Sequence, residues 1–324
     1  MLFIKTPLRI SFTGGMTDFP EFFNKNNGSV ISVTFNKYIR LMLNPKYEEG
    51  IRLMYSTTEN VSNVMSIKHT LFRETLKYFN ISNNIEIASI GDIPSKGTGL
   101  GSSAAFLVGL IRLLNEYKKN KNLNKKSLAN LAYSIENNIA KMSCGLQDHY
   151  AASYCGLNQF IFSKKKISTK KIRVSNSFLK KFEKSIRLFY INKTSISHSI
   201  TTKNISLIKN KDNLRYLLEI LDITKESKKY LEKENLVKFA KMIDKSWELK
   251  KRYQESFIDY KECNSLINYA KKNGAYCGKL LGAGMRGFVM IIGPENKLND
   301  ITDNIKYRSL SPKFVMTNQP IIKL

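Results

Sequence analysis

Residues 91–111 read GDIPSKGTGLGSSAAFLVGLI, with three alternating glycines and two adjacent serines ahead of an apolar run. The alternating segment 85–90 just before them predicts a strand that leads into the glycines. Gly97, Gly99 and Gly101 would form a loop that a side chain would obstruct, in which the backbone can approach a ligand closely. The apolar run that follows predicts a buried helix.

A loop of this kind suits a phosphate group. Glycines expose N–H groups and a helix N-terminus adds the positive end of its dipole, so both face a bound anion. A serine hydroxyl at the helix start, from Ser102 or Ser103, can hold a metal ion bound to that phosphate. The alternative is a glycine-rich turn with a serine N-cap. We favour phosphate because three glycines, two serines and an immediate apolar helix are more than a cap needs.

Other familiar signatures are not met in the sequence. No lysine stands immediately before Ser102, so the loop is not the common P-loop. The segment 282–287 reads GAGMRG, but it joins two predicted strands instead of opening a helix. We interpret it as a glycine loop close to a neighbouring backbone or ligand. No Gly-x-Ser-x-Gly elbow supports a serine hydrolase. The four cysteines form no Cys-x-x-Cys pair and there are three histidines, so this composition does not predict a zinc site.

Length and composition indicate a protein with a substantial core. The chain has 324 residues, enough for two domains, and 42% of them are hydrophobic. No apolar run approaches the ~18 residues of a membrane span. The N-terminus lacks the uninterrupted apolar region of a signal peptide. We therefore expect a cytoplasmic protein with no membrane partner.

The formal net charge of +27 raises the question of nucleic-acid binding. Lysines are scattered through the chain together with many asparagines and isoleucines, which indicates a general compositional bias. The densest basic stretch, 164–173, has no interleaved aromatic residues of the kind that stack on bases. Anionic small-molecule substrates explain the charge as well, so we expect no nucleic-acid partner. This stretch also marks the predicted boundary between two domains, 1–165 and 166–324.

Two acidic residues stand out by their positions in predicted helices. A helix that Ser127 can cap carries an apolar stripe, formed by Leu128, Leu131, Ala132, Ile135 and Ile139. Glu136 borders this stripe, and a carboxylate there needs a partner, either a metal ion or a lysine such as Lys141. Asp148 begins a short helix, where local sequence alone favours a simple role in complementing the helix dipole.

The remaining periodicity predicts strands and helices on both sides of the loop. Strands are predicted at 2–13, 30–43, 51–55, 157–162, 188–191, 275–281 and 288–292. Helices are predicted at 69–79, 176–184, 203–221, 235–252 and 258–273. The second half of the chain is thus expected to be mostly helical.

Three segments together resemble the GHMP kinases, the family named after galactokinase, homoserine kinase, mevalonate kinase and phosphomevalonate kinase. They are Pro7–Pro20 (PLRISFTGGMTDFP), Pro94–Ala104 (PSKGTGLGSSA) and Gly278–Phe288 (GKLLGAGMRGF). Their order and spacing span nearly the whole chain. The resemblance implies a two-domain α+β fold, with an N-terminal domain like ribosomal protein S5 domain 2 and a C-terminal ferredoxin-like domain. ATP and substrate would meet in the cleft between them.

The resemblance also implies roles for residues by their positions. The ATP phosphates would be lined by the loop and the helix start: Gly97, Gly99, Leu100, Gly101, Ser102, Ser103 and Ala104. Ser103 and Glu136 would be the Mg²⁺ ligands, and Asp148 the catalytic aspartate beside Arg9. This implied role replaces the dipole interpretation of Asp148. The substrate would contact residues of the first and third motifs: Gly15, Thr17, Asp18, Gly284 and Arg286.

The first motif is more like one branch of the family. It lacks the Gly-Glu-His-Thr-Asp of galactokinase and resembles the bacterial pattern Arg-Ile-Ser-Phe-x-Gly-Gly-Gly-Thr-Asp-x-Pro. That branch implies phosphorylation of the anomeric C1 hydroxyl of D-glycero-D-manno-heptose 7-phosphate by Mg·ATP, on the way to a nucleotide-activated heptose for surface polysaccharide. The third motif departs from the family, with Met285 and Arg286 where glycines are usual. The alternatives are another fucose- or mannose-like sugar, or a non-catalytic basic binding protein. A homodimer is left open.

Overall fold

The computed structural model describes residues 1–94, 97–121, 123–191, 197–284 and 287–324. Within them the strands are β1 Leu2–Thr13, β2 Gly28–Pro45, β3 Ile51–Met54, β4 Thr58–Val61, β5 Ile85–Gly91, β6 Asn158–Phe162, β7 Ser168–Lys171, β8 Ile186–Ile191, β9 Cys277–Leu280, β10 Gly287–Ile292, β11 Ser309–Leu310 and β12 Ile322–Lys323. The helices are α1 Pro20–Asn26, α2 Thr70–Tyr78, α3 Ser102–Tyr117, α4 Lys125–Tyr133, α5 Gln147–Tyr154, α6 Asn176–Lys184, α7 Ser197–Ile208, α8 Lys211–Glu232, α9 Leu236–Gln254, α10 Lys261–Lys272 and α11 Glu295–Asp303. A 3₁₀ turn, Val64–Ser66, precedes α2, and a π-helical turn, Ser134–Ile139, follows α4.

The strands of the first half of the chain form a mixed sheet built around β2, which β12 joins. Its strands run in the order β12-β1-β2-β5-β3-β4, and β6 pairs with both β2 and β7. Neighbours are antiparallel except for the parallel pair β3–β5. At 18 residues, β2 is much longer than the roughly 5–6 residues of an average strand, so different parts of it can pair with β1, β5 and β6.

Helix α3 packs on β1 and β2 and forms the centre of the core. Residues 104–111 of this helix are apolar on all faces, and Leu107, Leu110 and Leu113 are fully buried. Gly109 lets the helix approach the sheet closely, because a Cβ atom there would lie 2.6 Å from Oγ1 of Thr6. Burial of each leucine contributes about 2 kcal/mol. The start of α3, and the glycine loop before it, are thereby held against the sheet.

A second, antiparallel sheet contains β11, β8, β10 and β9 in that order. All six residues of β10 are buried, and α9 and α10 pack on β9. The expected α+β architecture is therefore confirmed. The domain boundary near residue 165 stays a prediction; β7, just beyond it, still pairs with β6, and β12 returns to β1. None of the described helices is both long enough and apolar enough to cross a membrane.

One predicted helix in the second half is two helices. The single helix expected at 203–221 is divided between α7 and α8. Asn210 interrupts it, because its side chain accepts a hydrogen bond from the N–H of Asp212 and so caps α8. An asparagine competes well for this position, since its side chain replaces the backbone acceptor missing at a helix start. Helix α8 then continues to Glu232, well past the predicted end.

The helix before the acidic residue Glu136 also differs from its prediction. It begins at Lys125, with Asn124 as its cap, and Ser127 contributes the N–H that this cap accepts. The predicted apolar stripe fails at its last member, because Ile139 is 43% exposed while Glu136 is 5% exposed. The reason is the π-helical turn, whose i→i+5 hydrogen bonds rotate the chain away from the 3.6-residue period. The turn directs Glu136 inward.

Candidate active site

The glycine loop before α3 has a backbone conformation that disfavours side chains, in keeping with the prediction of a loop that a side chain would obstruct. Gly97, Gly99 and Gly101 have φ angles of 70°, 72° and 75°. These lie in the left-handed region, which glycine adopts without the strain of a side chain. Gly101 is the N-cap of α3 and has no side chain to cap its N–H groups. The first N–H groups of the helix are therefore suited to an anionic ligand.

The other residues predicted for the phosphate site differ in exposure. Leu100 and Ala104 are buried, so they could meet a phosphate only through their backbone. Ser102 and Ser103 form the first turn of α3, and Ser103 is exposed. The serine side chains, and not their apolar neighbours, are thus presented at the start of the helix.

Ser103 and Glu136, the predicted Mg²⁺ ligands, are in direct contact. Oγ of Ser103 donates to Oε1 of Glu136 at 2.6 Å. The other carboxylate oxygen, Oε2, lies 2.7 Å from Nε2 of His149. Glu136 is thus held by Ser103 and His149 rather than by Lys141, which is exposed. A hydroxyl and a carboxylate are oxygen ligands of the kind that Mg²⁺ prefers, so this pair fits the ion.

Arg9 and Asp148, the predicted catalytic pair, form a two-point ion pair. Nε of Arg9 donates to Oδ1 of Asp148 at 2.8 Å, and Nη2 donates to Oδ2 at 2.9 Å. The third donor, Nη1, reaches the carbonyl of Gly99 at 2.5 Å. Asp148 also stands beside the helix start, because a Cβ atom on Gly101 would lie 3.5 Å from its Oδ2. The structure therefore brings the carboxylate, the arginine and the phosphate loop together.

Asp18 lies behind Asp148 and is fully buried. Its Oδ2 accepts from the backbone N–H of Gln147 at 3.1 Å, and its Oδ1 from the side-chain Nε2 of the same residue at 3.4 Å. Burial raises the pKa of the Asp18 carboxyl to about 6; the Gln147 N–H opposes this effect and the charge of Asp148 adds to it. A Cβ atom on Gly145 would lie 2.0 Å from Oδ2, so the two segments touch here.

The neighbouring residues of the first motif have different surroundings. The hydroxyl of Thr17 accepts from the N–H of Ser29 at 3.0 Å and lies 2.8 Å from the carbonyl oxygen of Gly14. Thr17 is fully buried, which places it in the support of the motif. Gly15, by contrast, has open space beside it, because a Cβ atom there would meet nothing within 4 Å. Of these two predicted substrate residues, Gly15 is the one beside free volume.

The third motif packs directly on the glycine loop. A Cβ atom on Gly282 would lie 2.4 Å from Cα of Gly99, so the two backbones are in contact. The N–H of Phe288 donates to the carbonyl of Thr98 at 3.2 Å. Gly284 has a φ of 113°, a conformation that favours glycine at this position. The predicted substrate residue Arg286 lies outside the described residues.

Two buried lysines, Lys250 and Lys279, lie behind the site and were not assigned from the sequence. Nζ of Lys279, in β9, donates to the carbonyls of residues 11–12 in β1 at 3.2 and 2.8 Å, which joins the two sheets. Nζ of Lys250, in α9, donates to the carbonyl of Gly282 at 2.5 Å. Burial and nearby positive charges, Arg9 among them, lower the pKa of both amines, to about 8 for Lys250. The lowered pKa of both amines reduces the positive charge that they contribute here, and their hydrogen bonds hold the backbone behind the glycine loop.

His149 is a third residue that sequence reasoning missed. It follows Asp148 in the first turn of α5, so its side chain leaves the helix in a different direction. It is fully buried beside Glu136, whereas Asp148 is 27% exposed beside Arg9. One turn of helix therefore orients both acidic groups of the site. The available signal was the histidine itself, a polar ring that begins the otherwise largely apolar segment 149–152.

This combination of fold and residues is similar to that of the GHMP kinases. Residues 64–156, from the turn before α2 to the end of α5, match the family model described as the GHMP kinases N terminal domain. That match contains the glycine loop, the π turn and the helix of Asp148. The recognition of a GHMP kinase from three motifs is confirmed, and so is the enzyme class that it implies, a phosphotransferase with an alcohol group as acceptor.

Particular members of the family are similar over nearly the whole chain. The D-glycero-alpha-D-manno-heptose 7-phosphate kinase of Campylobacter jejuni is 28% identical over 332 residues, covering 98% of this chain and 97% of the relative. The galactokinase of Pyrococcus furiosus is 25% identical over 343 residues, covering 93% and 92%. The crystal structure of a D-glycero-D-manno-heptose 1-phosphate kinase from Bacteriodes thetaiotaomicron has a TM-score of 0.80 at 20% identity, covering 100% of this chain and 99% of that one. The structural likeness confirms the two-domain fold.

Proposed function

We propose that the protein transfers the γ-phosphoryl group of ATP to the anomeric C1 hydroxyl of D-glycero-D-manno-heptose 7-phosphate. The observation that carries this proposal is the placement of Asp148, which Arg9 holds through two hydrogen bonds beside Gly101 at the start of α3. A hydroxyl that approaches this carboxylate is also brought to the end of the phosphate loop. The Campylobacter jejuni relative, named for heptose 7-phosphate, supports the choice of substrate.

In the proposed reaction, the C1 oxygen bonds to the γ-phosphorus while the bond from that phosphorus to the bridging oxygen breaks and ADP leaves. Asp148 accepts or orients the proton of the attacking hydroxyl. An anomeric hydroxyl is more acidic than an ordinary alcohol, so weak assistance is sufficient. Arg9 fixes the carboxylate in one orientation by holding both of its oxygens.

The chain's other groups position and neutralise phosphate charge, which is most of what phosphoryl transfer requires. The N–H groups at the start of α3 face the phosphates. Ser103 and Glu136 would hold Mg²⁺, which offsets charge on the β- and γ-phosphate oxygens. The net charge of +27 favours the approach of a phosphorylated sugar. The proposal places the reaction in the cytoplasm, where ATP is available.

An ADP-release assay with Mg·ATP tests this proposal. The panel contains heptose 7-phosphate, free heptose, mannose, fucose and galactose, and phosphorus NMR locates the new phosphate. We expect turnover with heptose 7-phosphate alone and an anomeric phosphate in the product. Turnover only with an unphosphorylated sugar would refute heptose 7-phosphate as the substrate but would leave the proposed role of Asp148 intact. The galactokinase relative is the reason for including galactose. No turnover and no ATP binding would support a non-catalytic binding protein.

A further inference from the structure

Beside the predicted Mg²⁺ pair lies a group of donors with different chemistry. Glu136, Cys144 and His149 each offer one ligand atom, and the three atoms lie within 4.8 Å of one another. His149 is fully buried, Glu136 is 5% exposed and Cys144 is half-buried. A carboxylate, an imidazole and a thiol therefore converge in one enclosed place next to the phosphate loop.

The backbone holds these three residues in position. The carbonyl of Glu136 accepts from the N–H of Met142 at 2.9 Å, which folds the following loop back on the π turn. The N–H of Cys144 reaches Oδ1 of Asn137 at 3.4 Å. His149 lies in α5 and is fixed by that helix. A cation would therefore meet ligands that are already assembled, with little chain to order on binding.

The imidazole of His149 has an electron pair available for a metal. Its Nε2 lies 2.7 Å from Oε2 of Glu136, and an ionised carboxylate only accepts, so Nε2 carries the hydrogen. Nδ1 is buried and has no hydrogen-bond partner among the residues that the structure describes. A buried nitrogen without a partner is unfavourable. Because Nε2 is the nitrogen that faces Glu136, a cation held by both residues would replace the hydrogen on Nε2, which would move to Nδ1.

This donor set distinguishes between metals. Zn²⁺ is borderline-soft and binds thiolate, imidazole and carboxylate, usually four ligands in a tetrahedron, whereas Mg²⁺ takes oxygen ligands. Zinc bonds of ordinary length separate the donor atoms by roughly 3.3–3.6 Å. No pair of the three ligand atoms would need to approach by more than roughly 1.5 Å, since all lie within 4.8 Å of one another, while Oε2 of Glu136 and Nε2 of His149, now 2.7 Å apart, would need to separate slightly. The fourth position is left for water.

We propose that Glu136, Cys144 and His149 form a binding site for Zn²⁺ or another borderline-soft divalent cation, and that this site shares Glu136 with the predicted Mg²⁺ pair. A cation bound there draws the Glu136 carboxylate away from Ser103 and opposes the kinase reaction. The binding site does not depend on the proposed function. The inhibition does rest on the proposed kinase function. The sequence did not predict the site because its ligands come from three separate turns and one of them is a glutamate.

Cobalt spectroscopy on the full chain tests the binding site. Co²⁺ replaces Zn²⁺ in such sites, and a bond to thiolate gives a near-ultraviolet charge-transfer band. We expect this band to saturate at one equivalent and to disappear on addition of Zn²⁺. Cys144→Ser should abolish the band and weaken zinc binding roughly a hundredfold, the share of one ligand in a typical zinc site. Cys263→Ser, which removes a buried thiol in α10, is the matched control and should change neither.

Contrary results would be clear. A wild-type protein without the thiolate band, or a band and zinc affinity that survive in Cys144→Ser, overturns the site. Cys144→Ala and His149→Gln, with thermal unfolding as a check on folding, should show the same loss of zinc affinity as Cys144→Ser. If either binds zinc as the wild type does, the assignment of ligands is wrong.

Zinc titration of the kinase reaction tests the inhibition separately. Each protein is referred to its own zinc-free rate, with Mg·ATP in excess. The zinc concentration that halves this rate should rise in Cys144→Ser by the same factor as the loss of zinc affinity. Full kinase activity at zinc concentrations that displace all Co²⁺ from the proposed site would refute the proposed inhibition. A normal cobalt band in a protein without kinase turnover overturns the proposed function and supports the binding site.

Discussion

Replacing Asp148 by asparagine isolates the charge of this residue, because the side chain keeps its shape. Arg9 donates to Oδ1 at 2.8 Å and to Oδ2 at 2.9 Å. In Asp148→Asn one oxygen becomes an NH₂ group that cannot accept, so the guanidinium loses one of these two bonds. Arg9 keeps its bond to the carbonyl of Gly99. The variant should therefore fold with its site nearly in place.

The two consequences of Asp148→Asn have different sizes. A hydrogen bond between charged groups contributes about 1.5–3 kcal/mol. Asp148 is 27% exposed, so water replaces part of the lost bond, and we expect the free energy of unfolding to fall by about 1–2 kcal/mol. Loss of a group that takes or orients the substrate proton lowers the rate by about 10²–10⁴. The rate should thus fall far more than stability.

Steady-state kinetics with the accepted sugar and urea unfolding measure these two quantities. Asp92→Asn is the matched control, because Asp92 pairs with Arg40, whose side chain is 34% exposed, on the surface. It should lose less than about 1 kcal/mol of stability and keep its rate. If kcat falls less than about tenfold in Asp148→Asn, well below the range for a general base, Asp148 is not the proton acceptor. Similar rate losses in both variants would point to general destabilisation.

Three further predictions concern the loop, the buried acid and the metal pair. Gly99→Ala puts a Cβ atom 2.3 Å from the carbonyl oxygen of Leu281, at a residue whose φ is 72°. The free energy of unfolding should therefore fall by at least ~1 kcal/mol. ATP binding, measured by equilibrium dialysis, should weaken. Burial raises the pKa of the Asp18 carboxyl from 3.8 to about 6. As pH rises, this carboxyl loses its proton in the unfolded chain before it does so in the folded protein, so the wild type loses stability between these two pH values. Urea unfolding should show Asp18→Asn gaining about 2–3 kcal/mol relative to the wild type between pH 4 and 7. Glu136→Gln should raise the Mg²⁺ concentration for half-maximal rate at least ~tenfold.

Each of these predictions has its own control or contrary result. Gly15→Ala introduces a Cβ atom into open space and should leave the free energy of unfolding unchanged. Normal ATP binding by Gly99→Ala would mean that the loop does not hold the phosphates. A difference between Asp18→Asn and the wild type that does not vary with pH would mean that the carboxyl ionises alike in both states. An unaltered Mg²⁺ requirement in Glu136→Gln would remove Glu136 from the metal site.

The conformation of the glycine loop could be predicted from the sequence because its determinant is local. Gly97, Gly99 and Gly101 each need a positive φ, and glycine meets this need whatever surrounds it. The apolar run behind them determines where α3 begins. The same locality explains why the strands before and after the loop were found close to their observed limits.

The inward direction of Glu136 could not be predicted from local sequence in the same way. Residues 128–139 have the period of an α-helix, and the π turn that breaks this period is maintained by contacts with Ser103 and His149 from other elements. The buried amine of Lys279 is a similar case. Its acceptors are carbonyls of β1, and no feature of the segment around Lys279 identifies so distant a partner.

The contact between Gly99 and Gly282 has a consequence for biosynthesis. A nascent chain that has emerged as far as Asp148 already carries the predicted phosphate ligands and both predicted Mg²⁺ ligands, yet the backbone that lies against Gly99 has not been made. The N–H of Phe288, which holds the carbonyl of Thr98, is also absent. The glycine loop is therefore completed only after residues 282–288 have been made. A ribosome-bound fragment that ends before Gly282 should neither bind nor consume ATP.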